Sequence, residues 1–251
     1  MNTSRRLFAA CALACAAAAP LVHAADWGWS RGEQVRGNGN IQRQARELGR
    51  FSGVSLSMAG KVEVRSGARE GVTIETDANL LPLIETVVEN GTLKIRAKDH
   101  MLPQTRTLKF VVTTRELERL SVSGSGDIDA DVLRGKRMQI EIGGSGDIKV
   151  DKAEGDTLNV DVGGSGDLEV EGGGVRSLSA AIAGSGDIDL AHLRSDEAKV
   201  SIAGSGDTKV WVRNALHASI AGSGDVEYYG DPSVRKSVAG SGGVRRVGAA
   251  P

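Results

Sequence analysis

Apolar and polar residues alternate along most of this chain. Leu158, Val160 and Val162 occupy one parity, and Asn159 and Asp161 occupy the other. A period of two is the pattern of a β-strand with one buried and one solvated face. The alternation keeps its phase through the glycines that follow, so the sequence predicts strands throughout, with those glycines on the inward side.

A Gly-Ser-Gly-Asp sequence recurs between the alternating segments. Its copies begin at residues 124, 144, 164, 184, 204, 222 and 240, and the last reads GSGG. A fixed period near 20 residues is typical of solenoids. In an antiparallel meander, the alternative, each copy would be a hairpin turn and nothing would require the copies to be alike. Stacked corners do contact one another, so the sequence favours an all-β fold: a right-handed parallel β-helix, or β-solenoid, with rungs of about 20 residues.

The residue types of this repeat suggest structural roles. Glycine permits a positive φ or a sharp corner with no Cβ inside it. The serine hydroxyls could hydrogen-bond along the stack, and each aspartate could cap backbone N–H groups in an Asx-type turn. The competing hypothesis is a metal site, since stacked carboxylates repel unless a cation such as Ca²⁺ neutralises them. Its candidate ligands are Asp127, Asp147, Asp167, Asp187, Asp207 and Asp225.

The regions around the strict repeats, which span residues 120–247, are less regular. Residues 51–115 read as β-rich turns of the same sheet system, with a hairpin at Asn90-Gly91 and one helical turn near Pro82. Residues 25–50 are predicted to be an N-terminal segment or cap, in which Trp27 and Trp29 would cover an open end of the solenoid. Residues 248–251 are predicted to be a tail, and the whole ending GVRRVGAAP to be frayed.

The N-terminus has the features of a secretory signal peptide at residues 1–24. Arg5 and Arg6 precede an apolar run, and a small-residue cleavage site ends at Ala24. The general secretory route is favoured, although Arg5-Arg6 also fits a twin-arginine signal. Both cysteines lie in this segment, so the mature chain has no thiol chemistry. We expect an exported protein of the periplasm or the cell surface, with no membrane span in the mature chain.

Composition narrows the possible functions. The formal net charge is −1, which gives no reason to expect a nucleic-acid partner. No HExxH or GxSxG motif occurs, the histidines lack metal-ligand spacing, and His217 lies on the outward parity as a solvated residue. We therefore predict no catalytic residues, no cofactor-binding residues and no enzyme activity.

The sequence also resembles a known family. The matching stretches are FSGVSLSMAGKVEVRSG, DANLLPLIETVVENGTLKI and the GSGD series that ends SIAGSGDVEYYGDPSVRKSVAGSGGV. Together they resemble the GIN-type head domain of auto-transporter adhesins, over residues 41–247. The resemblance implies an exported β-helical protein of the bacterial envelope, and it supplies no catalytic residues.

These observations favour a non-catalytic binding module for a surface ligand, either a glycan or a protein. The candidate ligand-binding residues are the aromatic side chains near the repeats, Trp211, Tyr228 and Tyr229, with Trp211 predicted to face outward. The alternative is a structural protein that maintains the envelope. Less favoured are a calcium-binding protein and a polysaccharide-active β-helical enzyme, in which carboxylate pairs would act on glycosidic bonds.

Overall fold

The computed structural model of this chain describes residues 33–98 and 101–250. The predicted signal peptide and the proposed capping residues Trp27 and Trp29 lie outside these ranges. β-Strands are the main element of the described residues, as the alternation predicted. No helix among them is long and apolar enough to cross a membrane.

The N-terminal strands form a mixed arrangement. They are β1 (Gln34–Arg36), β2 (Ile41–Glu47), β3 (Gly53–Leu56), β4 (Lys61–Ser66), β5 (Gly71–Asp77), β6 (Ile84–Glu89), β7 (Thr92–Ala97), β8 (Leu102–Gln104), β9 (Lys109–Thr114) and β10 (Arg119–Val122). Strand β5 pairs antiparallel with β2 and β9, whereas β3 pairs parallel with β7 and β10. This half is therefore β-rich but less regular, as predicted.

Two local predictions in this half are confirmed. Strands β6 and β7 form an antiparallel hairpin at Asn90-Gly91, whose φ angles of 50° and 73° suit the tight two-residue turn. One 3₁₀ turn, Leu81–Leu83, contains Pro82 at its start, where the missing N–H of proline removes no helical hydrogen bond.

The repeats form a parallel stack. Its strands are β11 (Asp127–Ile142), β12 (Ile148–Val162), β13 (Leu168–Val170), β14 (Gly173–Ile182), β15 (Ile188–Gly204), β16 (Thr208–Gly222), β17 (Val226–Tyr229), β18 (Ser233–Gly240) and β19 (Val244–Gly248). Each turn pairs in register with the same repeat position of the next, as Met138 does with Leu158. The β-solenoid prediction is confirmed and the antiparallel meander is wrong.

The core consists of inward-facing columns that run through the stack. One column contains Ile140, Val160, Ala180, Val200 and Ala218, each at most 4% exposed. Burying a Val or Ile side chain contributes about 1.5–3 kcal/mol. Small aliphatic residues thus hold the fold together with few aromatics, because every turn buries the same parity against its neighbours.

The glycines of the repeat are required by close approach between turns. A Cβ on Gly146 would lie 2.0 Å from the carbonyl oxygen of Gly126, and one on Gly166 would lie 2.1 Å from that of Gly146. Positive φ, the other predicted reason, applies to the first glycine of only the last three copies, at Gly204, Gly222 and Gly240. The absence of a Cβ inside the corner is therefore the main requirement.

The end of the chain is more ordered than the sequence predicted. Val244–Gly248 is strand β19 and pairs with β17. The expectation that GVRRVGAAP is frayed was wrong for these residues, since they pair as a parallel strand with the turn before. Val244 still packs against the core, whereas Val238 and Val247 are 40% and 48% exposed.

Candidate functional site

The aspartates of the repeat form one continuous column along the solenoid. We call it the aspartate column, and its members are Asp127, Asp147, Asp167, Asp187, Asp207 and Asp225. In each pair of neighbouring turns, the backbone N–H of the later aspartate donates to Oδ1 of the earlier one, at distances of 2.7–3.1 Å. Gly243 N–H donates to Asp225 in the same way at 2.7 Å. The prediction that the aspartates accept backbone N–H groups is confirmed. The predicted Asx turn was wrong, because each bond joins two neighbouring turns of the solenoid.

The serine hydroxyls behave differently from the prediction. Among residues 33–98 and 101–250, no hydroxyl of the repeat serines bonds to another along the stack. It is the serine backbone that joins the turns, as when Ser165 N–H donates to Gly144 O at 3.0 Å. The hydroxyls instead remain exposed at the corner.

A second column of charged side chains runs beside the aspartate column, two residues further along each strand. Its members are Asp129, Lys149, Glu169, Asp189, Lys209 and Glu227. The two columns border a groove of about 610 Å³. Its lining contains eight carboxylates, three lysines and the apolar residues Ile148, Leu168 and Ile188. Because carboxylates outnumber cations, this acidic groove attracts groups that donate hydrogen bonds or carry positive charge.

The lysines of the acidic groove are held by neighbouring carboxylates. Lys149 contacts Glu171 and lies 3.4 Å from Glu169, and the hydrogen bond to Glu171 is the main reason its pKa is raised. The pKa of Lys209 is raised chiefly by the charge of Asp189, 3.4 Å away. These lysines therefore stay protonated and partly neutralise the acids beside them.

Lys61 is a groove residue that sequence reasoning missed. It comes from β4, outside the strict repeats, and stands in register with Asp127 at the start of the aspartate column. Its Nζ lies 2.6 Å from Asp129, and this hydrogen bond raises the pKa of Lys61. No local pattern could identify it, because its partner is distant in sequence and the intervening strands decide the pairing.

The carboxylates of the acidic groove are also the predicted metal ligands. Among the described residues, no three His, Cys, Asp or Glu side chains converge as metal ligands do. One oxygen of each aspartate in the column also accepts a backbone N–H of the next turn. Calcium binding by this column stays a prediction.

The three predicted ligand-binding aromatics separate into two environments. Trp211 and Tyr229 are in register on adjacent strands β16 and β17, on the outward parity beside Lys209 and Glu227. Both are half-buried, and Ser195 Oγ donates to the Trp211 carbonyl at 2.8 Å. Tyr228 has the inward parity, pairs with Val210 and packs against the core. The structure thus brings two of the three together, two residues beyond Lys209 at the end of the acidic groove and outside its lining.

Comparison with solved structures gives close matches to bacterial proteins. A crystal structure titled a putative adhesin, from Bacteroides fragilis, is 21% identical with a TM-score of 0.79, covering 85% of this chain and all of that one. A putative adhesin from Parabacteroides merdae is 20% identical with a TM-score of 0.70, covering 86% of this chain and all of its own. At these identities the likeness shows the fold.

A third solved structure has a different title. It is a putative lipid binding protein from Parabacteroides distasonis, 26% identical with a TM-score of 0.66, covering 86% of this chain and all of that one. None of the curated proteins matches this chain.

The family comparison agrees with the fold and with the repeated corners. A family model described as "Putative auto-transporter adhesin, head GIN domain" matches residues 50–232, which include strands β3 to β10 and six of the seven corners. The resemblance found in the sequence is confirmed. This chain belongs to the GIN-type head domain family of auto-transporter adhesins.

Proposed function

We propose that this protein is an exported, non-catalytic binding module of the bacterial envelope that holds a glycan or protein surface against its acidic groove. The observation that carries the proposal is the pairing of Trp211 with Tyr229 on the outward side of adjacent strands. Aromatic side chains with one polar edge supply large contact areas at binding interfaces, and Trp and Tyr are enriched among the residues that dominate binding. The family's adhesin description supports the same function.

The groove beside this aromatic pair limits what the ligand can be. Carboxylates accept hydrogen bonds and cannot donate them. A ligand lying along the aspartate column must therefore present hydroxyl groups, as a neutral glycan does, or amino groups, as an amino sugar or a basic peptide does. The lysines at positions 149 and 209 can donate to ring or carbonyl oxygens of the same ligand. In most binding sites, polar groups determine which ligand is accepted and apolar side chains supply the contact area. The groove and the aromatic pair would have these two roles here.

Binding to an array of neutral and amino glycans tests this proposal. The wild-type mature protein should bind a subset of the glycans. The double variant Trp211→Ala/Tyr229→Ala should bind them at least about tenfold more weakly, since a loss of about 2 kcal/mol in binding free energy lowers the affinity by more than that factor. Arg213→Ala, which alters an exposed side chain on the same strand, is the matched control. Equal binding by the double variant and the control would overturn the proposed site.

A structural role in the envelope is the second candidate. It is favoured by the aspartate column, whose carboxylates already serve the stack as acceptors between turns. Protease treatment of intact cells separates the two functions. Loss of the protein while a periplasmic marker survives supports surface binding. Protection, with the purified protein cleaved under the same conditions, supports the structural role.

A further inference from the structure

A row of three cationic or ionisable side chains lies on a different face of the solenoid from the acidic groove. Lys199 is in register with His217, and His217 is in register with Arg235, on strands β15, β16 and β18. All three are exposed. We call them the basic row, and at the spacing of paired strands it is roughly 10 Å long.

The cations of the basic row, unlike many cations of the repeats, have no anionic partner among the described residues. Arg134 pairs across neighbouring turns with Glu154 at 2.6 Å, and Arg176 pairs with Asp156 at 2.7 Å. Within residues 33–98 and 101–250, neither Lys199, His217 nor Arg235 forms an ion pair, although Glu197 lies two residues from Lys199. Lys199 and Arg235 thus present two cations on one face, on either side of His217, with no acid to neutralise them.

The surface beside the basic row is flat and rich in hydroxyl groups. Ser201, Ser219 and Ser237 stand two residues further along the same strands, are in register with one another and are exposed. Small side chains leave room for a chain lying along the solenoid axis. Their hydroxyls can both donate and accept hydrogen bonds, as sugar hydroxyls require.

From this arrangement we infer that the basic row and its serine column form a second binding site, which takes an anionic polysaccharide. The carboxylate or sulfate groups of such a chain would contact Lys199 and Arg235, and its hydroxyls would contact the serines. The serine column exposes no apolar area that would favour a lipid surface. The acidic groove elsewhere on the molecule opposes nucleic acid, which binds through extended basic surface. This inference concerns a separate face and does not depend on the proposed function of Trp211 and Tyr229.

Retention on immobilised dextran sulfate and polygalacturonate, with unsubstituted dextran as reference, tests the inference. The mature protein should be retained on at least one anionic polymer and not on dextran. The variant Lys199→Ser/Arg235→Ser should bind about tenfold more weakly or worse. Serine is the residue that this chain carries at position 179, in register with Lys199, so the substitution suits the sheet.

A charge-matched control separates a site from general electrostatics. Lys152→Ser/Arg176→Ser removes the same charge from exposed positions elsewhere on the solenoid and should change retention by less than about twofold. Equal weakening by both double variants, or absence of retention of the wild type, would overturn the inference. The Trp211→Ala/Tyr229→Ala variant should keep its retention, so this test and the glycan array succeed or fail separately.

Discussion

The backbone N–H of Asp167 donates a 2.9 Å hydrogen bond to Oδ1 of Asp147, the same residue of the preceding turn. Asp167 in turn accepts the N–H of Asp187 at 2.8 Å. Each carboxylate thus satisfies a backbone donor at the corner, where the chain bends away from the ladder of the sheet. This relationship explains why the aspartate recurs through six copies, and why the final copy can end in Gly243, which only donates to Asp225.

Removing one carboxylate should destabilise the stack. We expect Asp167→Ala to lower the free energy of unfolding by about 1–2 kcal/mol, because the N–H of Asp187 loses its acceptor. Asp167→Asn keeps an oxygen acceptor and removes one charge from a column of like charges, so it should cost less than half as much. Urea unfolding of both variants measures the difference. Equal losses would mean that charge, and not the hydrogen bond, is what the corner needs.

The corner glycines should not tolerate a methyl group. Gly166→Ala would place a Cβ 2.1 Å from Gly146 O, so the turns must separate, and we expect a loss of about 3 kcal/mol or a failure to fold. The control is Gly163→Ala, where the nearest atom lies 3.8 Å away and where later repeats carry Ala183 and Ala203. Thermal unfolding followed by circular dichroism should separate the two variants. Similar midpoints would contradict the requirement for close approach.

Thr208 is a buried polar residue in an apolar column. Its hydroxyl is fully buried without a hydrogen-bond partner, between Ile188 and Val226 of the adjacent turns. We expect Thr208→Val to raise the free energy of unfolding by about 1–2 kcal/mol, because it removes the cost of desolvating the hydroxyl. The reverse change, Val226→Thr, should lower it by a similar amount. Chemical unfolding checks both, and a loss of stability in Thr208→Val would show that the hydroxyl has a partner in solution.

Acid should weaken the N-terminal sheet through Glu63. Its pKa is lowered chiefly by the hydrogen bond from Lys109, at 2.6 Å, with a contribution from Arg65 at 2.8 Å. A pKa that is lower in the folded state stabilises the fold at pH values above the ordinary glutamate pKa of about 4.3. This stabilisation is lost as the pH falls through the lowered pKa.

The variant Lys109→Gln tests this linkage. The wild type should lose more stability between about pH 6 and pH 3 than the variant does, by under about 1 kcal/mol because the pair is partly solvated. Urea unfolding at the two pH values gives the comparison. A larger acid-induced loss in the variant would reverse the expected sign.

Much of the fold follows from local sequence. The period of two decides which residues face inward, because successive side chains of a strand point to opposite sides. The period near 20 fixes the length of a turn, and the identical corners indicate parallel stacking, since only stacked residues constrain one another. Ile148, Val160 and Leu168 could all be assigned to the core on this basis, and the structure buries all three.

Other features depended on contacts between segments far apart in sequence. The pairing of Lys61 with the aspartate column follows from β4 lying beside β11, which no repeat encodes. The period shortens from 20 to 18 residues through two register shifts between β15 and β16. Trp211 therefore lies opposite Arg194 and not opposite Ala191, as a strict 20-residue spacing would give.

The sequence by itself therefore determined the strands, their inward faces and the stacked corners, because these repeat locally. The tertiary structure alone decided which charges and aromatics meet. It placed Tyr229 beside Trp211, turned Tyr228 toward the core, and brought Lys199, His217 and Arg235 into one row. The physical reason is that register between turns is set by packing of the whole stack, where a shift of two residues keeps every apolar side chain inward yet changes every neighbour on the surface.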